Sequence, residues 1–155
     1  PNEFFNALSE VLCYRSPEMI QIERIQVDAA FFANLKQALE GHEIQHITLR
    51  NTILHKDVGE TMRGIAFLAN DIRKLSVIGT HRISQTFLEG ISTSTSLNEL
   101  CWSGNNNHEN YYSRFYASKS IISHLHHFKN LYLCTMVLRT DWIAELLMVK
   151  IQYCL

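Results

Sequence analysis

Two stretches decide the fold: Ile44-Gln45-His46-Ile47-Thr48-Leu49-Arg50 and Ile72-Arg73-Lys74-Leu75-Ser76-Val77-Ile78. Both follow the order apolar-x-x-apolar-x-apolar, with polar residues in between. Alternation with a period of two belongs to a strand that buries one face and wets the other. The same template fits Ile22, Ile25, Val27, then Leu97, Leu100, Trp102, then Phe128, Leu131, Leu133. Met148, Ile151, Tyr153 is a weaker match. The first five starts are separated by 22, 28, 25 and 31 residues, a mean of about 26 to 27. Recurrence at such a period marks stacked units of supersecondary structure, each leaning on its neighbours.

The segments between these strands read as helices. Phe31, Phe32, Leu35 and Leu39 form one stripe, ended by Gly41, and Val58, Met62, Ile65 and Leu68 form the next. Phe87 and Ile91 follow Ser84; Phe115, Ile121, Ile122 and Leu125 lie on a fourth stripe; Ile143, Leu146 and Leu147 lie on a fifth, with Thr140 or Asp141 as its N-cap. Phe4, Phe5, Leu8 and Leu12 make an opening stripe, and Pro17 marks its exit. A doubly wound sheet also alternates strands and helices. Its strands are buried on both faces, however, and read as continuous apolar runs, whereas these alternate.

With a convex helix after each strand, the chain resembles the long-repeat, ribonuclease-inhibitor-like class of leucine-rich repeat proteins. The resemblance runs from about Phe4 to Leu155. In layout it is similar to tropomodulin-like caps and to the repeat arrays of NOD-like receptors, which are innate immunity proteins. The resemblance implies an α/β solenoid, or horseshoe, of five to six repeats with parallel concave strands. Strands are expected near 22–28, 44–50, 72–78, 97–103 and 128–134, and a further one at 148–154. The family's ladder position, three residues past the last template residue, reads Ala30, Thr52, Thr80, Asn105 and Met136, where Asn or Cys is usual. Residues 1–155 are read as a single repeat domain, with 1–18 as an N-terminal helix or cap. The missing initiator Met, and an apolar C-terminus with nothing stacked beyond it, lead us to expect a piece of a longer protein.

Residues between the inward-facing ones should form the open face of the sheet. They are Arg24, Gln26 and Asp28; His46, Thr48 and Arg50; Lys74, Ser76 and Ile78; Glu99, Cys101 and Ser103; Asn130, Tyr132 and Cys134. Strands about 4.8 Å apart should bring Asp28 beside Arg50, with Lys74 nearby. The early strands would then present a mostly basic, mixed-charge patch, and the later ones a neutral patch with Tyr132. A second candidate surface is the loop Ser103 to Tyr112, where Asn106, His108 and Tyr111 supply hydrogen-bonding tips and an aromatic anchor. Both surfaces suit a protein partner.

The 155 residues are 46% hydrophobic and 19% charged, enough for a substantial core and unlike a disordered chain. Fourteen Lys and Arg against fifteen Asp and Glu leave no basic excess to neutralise phosphates, so nucleic acid is not the expected partner. Four dispersed cysteines (Cys13, Cys101, Cys134 and Cys154) fit buried or half-buried thiols better than a disulfide scaffold. No Asn-x-Ser/Thr acceptor, no signal-peptide pattern and no membrane-length apolar run is present. A cytoplasmic protein is expected, without membrane insertion. Self-association through the apolar C-terminal repeat is a further expectation.

Little in the sequence suggests catalysis or a cofactor. The glycines sit singly at 41, 59, 64, 79, 90 and 104, giving neither a phosphate loop nor a nucleophile elbow. His124, His126 and His127 lack the spacing and company of a zinc site, so no metal is expected. Cys101 or Cys134 could pair with His46 as nucleophile and base, but the predicted strands of His46 and Cys101 lie two apart, about 10 Å at the strand spacing. The expectation is a non-enzymatic protein-recognition module, the ligand-sensing or scaffolding part of a larger protein. An actin-cytoskeleton cap of the tropomodulin-like kind is the narrower alternative, and an enzyme using the His and Cys residues is the competing class.

Overall fold

The computed structural model describes residues 2–15, 17–54, 57–80, 83–104, 125, 128–134 and 151–152. Helices run over Asn2–Tyr14 (α1), Ala29–Leu39 (α2), Val58–Ala69 (α3) and Gln85–Ile91 (α4). Strands are Met19–Glu23 (β1), Gln26–Val27 (β2), His46–Arg50 (β3), Ile53–Leu54 (β4), Lys74–Thr80 (β5), Glu99–Gly104 (β6), Asn130–Cys134 (β7) and Ile151–Gln152 (β8). The protein is α/β, with a parallel main sheet ordered β1-β3-β5-β6-β7-β8 and a two-stranded parallel sheet of β2 and β4. Strands of the main sheet follow one another in sequence order. No strand in that order doubles back, as it would at the switch point of a doubly wound sheet.

Local chemistry starts α2, α3 and α4. The Phe31 N–H donates to Asp28 Oδ1 at 2.8 Å, the Glu60 N–H to Asp57 Oδ1 at 3.0 Å, and the Phe87 N–H to Ser84 Oγ at 3.2 Å. Each satisfies one of the orphan amides of a first helical turn. Gly41, at φ 81, turns the chain just past the end of α2. Where each strand begins, one carbonyl accepts two amides of the next strand. Glu18 O takes Gln45 and His46 N–H, Gln45 O takes Arg73 and Lys74 N–H, and Arg73 O takes Asn98 and Glu99 N–H. Asn98 O accepts from Lys129 and Asn130 in the same way.

The first strand departs from the expected register. Ile20 pairs with Ile47 and Ile22 with Leu49, so residues 17–22, not 22–27, correspond to 44–49. The stretch Ile20-Gln21-Ile22-Glu23-Arg24-Ile25-Gln26-Val27 holds two alternating apolar pairs, and the template alone cannot choose between them. The second pair belongs to β2, which lies on β4. Between the two, Arg24 takes a left-handed φ of 56, as Asn51 (φ 50) and Gly79 (φ 65) do at the equivalent places. The Arg24 N–H donates to Arg50 O at 3.0 Å and the Asn51 N–H to Ile78 O at 2.8 Å. One residue on, Thr52 and Thr80 are buried and share a hydroxyl–hydroxyl hydrogen bond of 3.0 Å. Their counterpart in the first unit is Ile25, not Ala30. Asn105 and Met136 lie outside the described residues.

The core fills the space between the inner face of the sheet and the helices. Ile47, Leu49, Leu75, Val77, Leu100 and Trp102 face Phe32, Leu35, Met62, Ile65, Phe87 and Ile91, all of them buried. The Phe87 ring lies 4.6 Å from the Trp102 ring. Helices α3 and α4 approach so closely that a Cβ on Gly90 would stand 2.5 Å from the Ala66 Cβ. Cys13 is exposed on α1, against the expectation of a buried or half-buried thiol, because it stands about a quarter turn around the helix from the side that Phe5 and Leu12 turn inward.

Candidate binding surface

The register sets the outward-facing residues in rows across the strands. One row reads Met19, His46, Lys74, Glu99 and Asn130; the next Gln21, Thr48, Ser76, Cys101 and Tyr132; the third Glu23, Arg50, Ile78 and Ser103, with Cys134 opposite Ser103 in the backbone register. The two intervening rows, from Ile20 to Leu131 and from Ile22 to Leu133, carry the core template. The outward rows differ in size. Thr48 and Ser76 are small and buried between the longer side chains flanking them, so this part of the middle row is the floor of a shallow trough.

His46 joins that floor to the first row. Its Nε2 lies 3.0 Å from Ser76 Oγ and 3.1 Å from Thr48 Oγ1. With the proton on Nδ1, Nε2 accepts from these hydroxyls; with the proton on Nε2, it donates to one of them. Burial lowers the pKa of His46 below its ordinary 6.5, and the Lys74 ammonium adds to the depression, while Glu99 opposes it. Lys74 Nζ lies 3.4 Å from Glu99 Oε2. The depressed value gives a definite sign. The unfolded chain binds the proton more readily, so stability from neutral His46 is present above pH 6.5 and is lost as the pH falls through the folded pKa. Urea melts of native and His46→Gln chains should converge as the pH is lowered from 7.5 to 5.5. A constant difference between them across that range would show that His46 protonation is not linked to folding.

In the third row, Glu23 Oε1 lies 3.3 Å from Arg24 Nε, and Glu23 Oε2 accepts from Gln21 Nε2 at 3.1 Å. Arg50 is exposed beside Ile78, which is also partly open to solvent. The partner of Arg50 in the row is therefore Glu23, where Asp28 was expected. Asp28 caps α2, Gln26 lies in β2, and Arg24 occupies the turn between β1 and β2, so none of the three belongs to the main-sheet face. Met19, Gln21 and Glu23 take their places. A duplication signals this register: Phe4-Phe5-Asn6-Ala7-Leu8 recurs as Phe31-Phe32-Ala33-Asn34-Leu35, an offset of 27. The same offset takes Met19 to His46.

Of the remaining sites read from sequence, His46, Thr48, Arg50, Lys74, Ser76, Glu99, Asn130 and Tyr132 share the outward face, with Thr48 and Ser76 buried within it. Asn106, His108 and Tyr111 lie outside the described residues, as do His124, His126 and His127. Strand β5 separates His46 on β3 from Cys101 on β6. A cavity of about 450 Å³ opens on the helix side, between the C-terminal ends of α2 and α3. Its cation, Lys36, lies 2.6 Å from Asp71 and 3.5 Å from the centre of the Phe67 ring, so the charge is already matched.

No family model, curated protein or solved structure matches this chain. Among the described residues, no group of three or more His, Cys, Asp or Glu is placed to hold a metal ion, and no helix is long and apolar enough to cross a membrane.

Proposed function

We propose that the chain is a segment of a leucine-rich-repeat-like solenoid that recognises a protein partner through the outward face of its main sheet. The observation that carries this reading is the register of the parallel strands. It aligns a row with His46, Lys74 and Glu99, a floor with Thr48 and Ser76, and a row with Arg50 and Ile78. A face of polar and charged side chains with two exposed apolar groups, Met19 and Ile78, fits protein recognition. The His46 imidazole lies within hydrogen-bond reach of the Ser76 and Thr48 hydroxyls, and Cys101, the thiol that the competing enzyme reading would use, lies two strands away. The reading makes the chain a non-enzymatic sensing or scaffolding part of a larger protein. A cytoplasmic setting accords with four dispersed cysteines and the lack of an Asn-x-Ser/Thr acceptor.

The test is comparative capture from cell extract by the native chain, by an Arg50→Glu/Lys74→Glu variant, and by an Arg63→Glu variant on exposed α3 surface. Proteins held by the native chain should be held at least about tenfold more weakly by the sheet-face variant, a loss of about 1.4 kcal/mol. The α3 variant should retain them. Equal retention by both folded variants would defeat the reading.

A further inference from the structure

The two ends of the 27-residue duplication meet very different surroundings. On α2, Phe31 is half-buried, with its ring 6.3 Å from Phe4 and 5.3 Å from Phe5. Ala38, on the same stripe of α2, is 9% exposed. The counterparts on α1, one offset earlier, are Phe4 and Val11, and they are 51% and 57% exposed. The main chain repeats the contrast. Amides of Gln45 and His46 donate to Glu18 O, whereas among the described residues no strand lies on the far edge of β1. The α1/β1 end is thus a near copy of a surface that, 27 residues later, is covered by a helix and a parallel strand.

We propose that this end is a docking surface for one further strand–helix unit of the same kind, its strand parallel to β1 and its helix on the Phe4 and Val11 stripe. The occupant follows from the duplication: the same side-chain pattern is covered by such a unit elsewhere in the chain. The exposed apolar pair supplies the driving force, and the open edge of β1 supplies the amides and carbonyls that a new strand requires. A second copy of the chain meeting this surface across a two-fold axis would bring β1 against β1 in antiparallel pairing, unlike the strand pairing within the main sheet. The proposal stands apart from the partner of the sheet face, because it concerns the end of the stack.

The offset suggests its own test. A second copy of residues 2–28 inserted ahead of residue 2 places Asp28 before α1 as it stands before α2, and supplies one helix and one strand in register. The extended chain should melt in one transition, with Tm raised by roughly 5 °C, and the amides of β1 should become slow to exchange. Val11→Asp should leave the native chain nearly unchanged and should lower the Tm of the extended chain. Three outcomes would overturn the proposal: an unchanged Tm with the insert cut as readily as unfolded chain, equal effects of Val11→Asp in both chains, or a native chain that dimerises at micromolar concentration with its α1 amides protected.

Discussion

Replacing Trp102 by alanine should cost the folded chain about 3 to 5 kcal/mol, the range for emptying a buried aromatic site. Trp102 is 1% exposed and stands in β6, between β5 and β7, with the Phe87 ring of α4 at 4.6 Å. It therefore ties the later strands to the helix layer. The loss has two parts: the transfer of the indole to water, and the void left where neither β5 nor α4 can close in fully. Phe87 also loses its ring partner, worth about 0.5 to 1.5 kcal/mol beyond area. Urea denaturation followed by circular dichroism measures the change as a lower midpoint with an unchanged slope. Trp102→Phe, which keeps a ring in place, should lose less. A midpoint for Trp102→Ala equivalent to under about 1 kcal/mol would mean that the indole is not a core group.

Gly90→Ala should destabilise by about 2 kcal/mol, although alanine is the better helix former by about 1 kcal/mol. The added methyl would meet the Ala66 Cβ at 2.5 Å, against about 3.5 to 4.0 Å for two carbons in contact. Neither group can rotate away, so α3 and α4 must separate by about 1 Å, loosening Ile65, Leu88 and their neighbours. Ala66→Gly in the same chain removes the obstruction. The double variant should then be more stable than the sum of the single changes predicts, by about 1 kcal/mol or more. Simple additivity in the same urea melts would place the cost somewhere other than the α3–α4 contact.

Much of this arrangement can be read in the sequence, because it depends on periods. The template positions at 47 and 49, 75 and 77, and 100 and 102 all turn inward, since alternation leaves them only one dry side. Of the helix starts, the one after Ser84 is where the sequence reading has it, whereas Asp28, read as a face residue, caps α2 instead, and Asp57 caps α3. The first strand is the exception. Between Ile20 and Val27 two alternations compete, and the left-handed turn at Arg24 that separates them has no glycine to announce it. The site is legible only in outline. Alternation assigns Thr48 and Ser76 to the outward face, but their burial depends on the size of their neighbours and on the reach of His46 across a strand. The contact of His46 with Ser76 joins residues 30 apart in sequence, and no local pattern encodes it.

The doubly accepting carbonyls where the strands begin belong to Glu18, Gln45, Arg73 and Asn98, four polar residues that differ in charge and in length. The joint between successive strands is therefore made by the main chain and is indifferent to the charge of the residue that supplies it. On the reading proposed above, mutation at these positions, and in the outward rows beside them, would change what the surface recognises while leaving the stacking of the strands intact. If that reading holds, a lineage carrying this scaffold would be free to change partners faster than it changes shape.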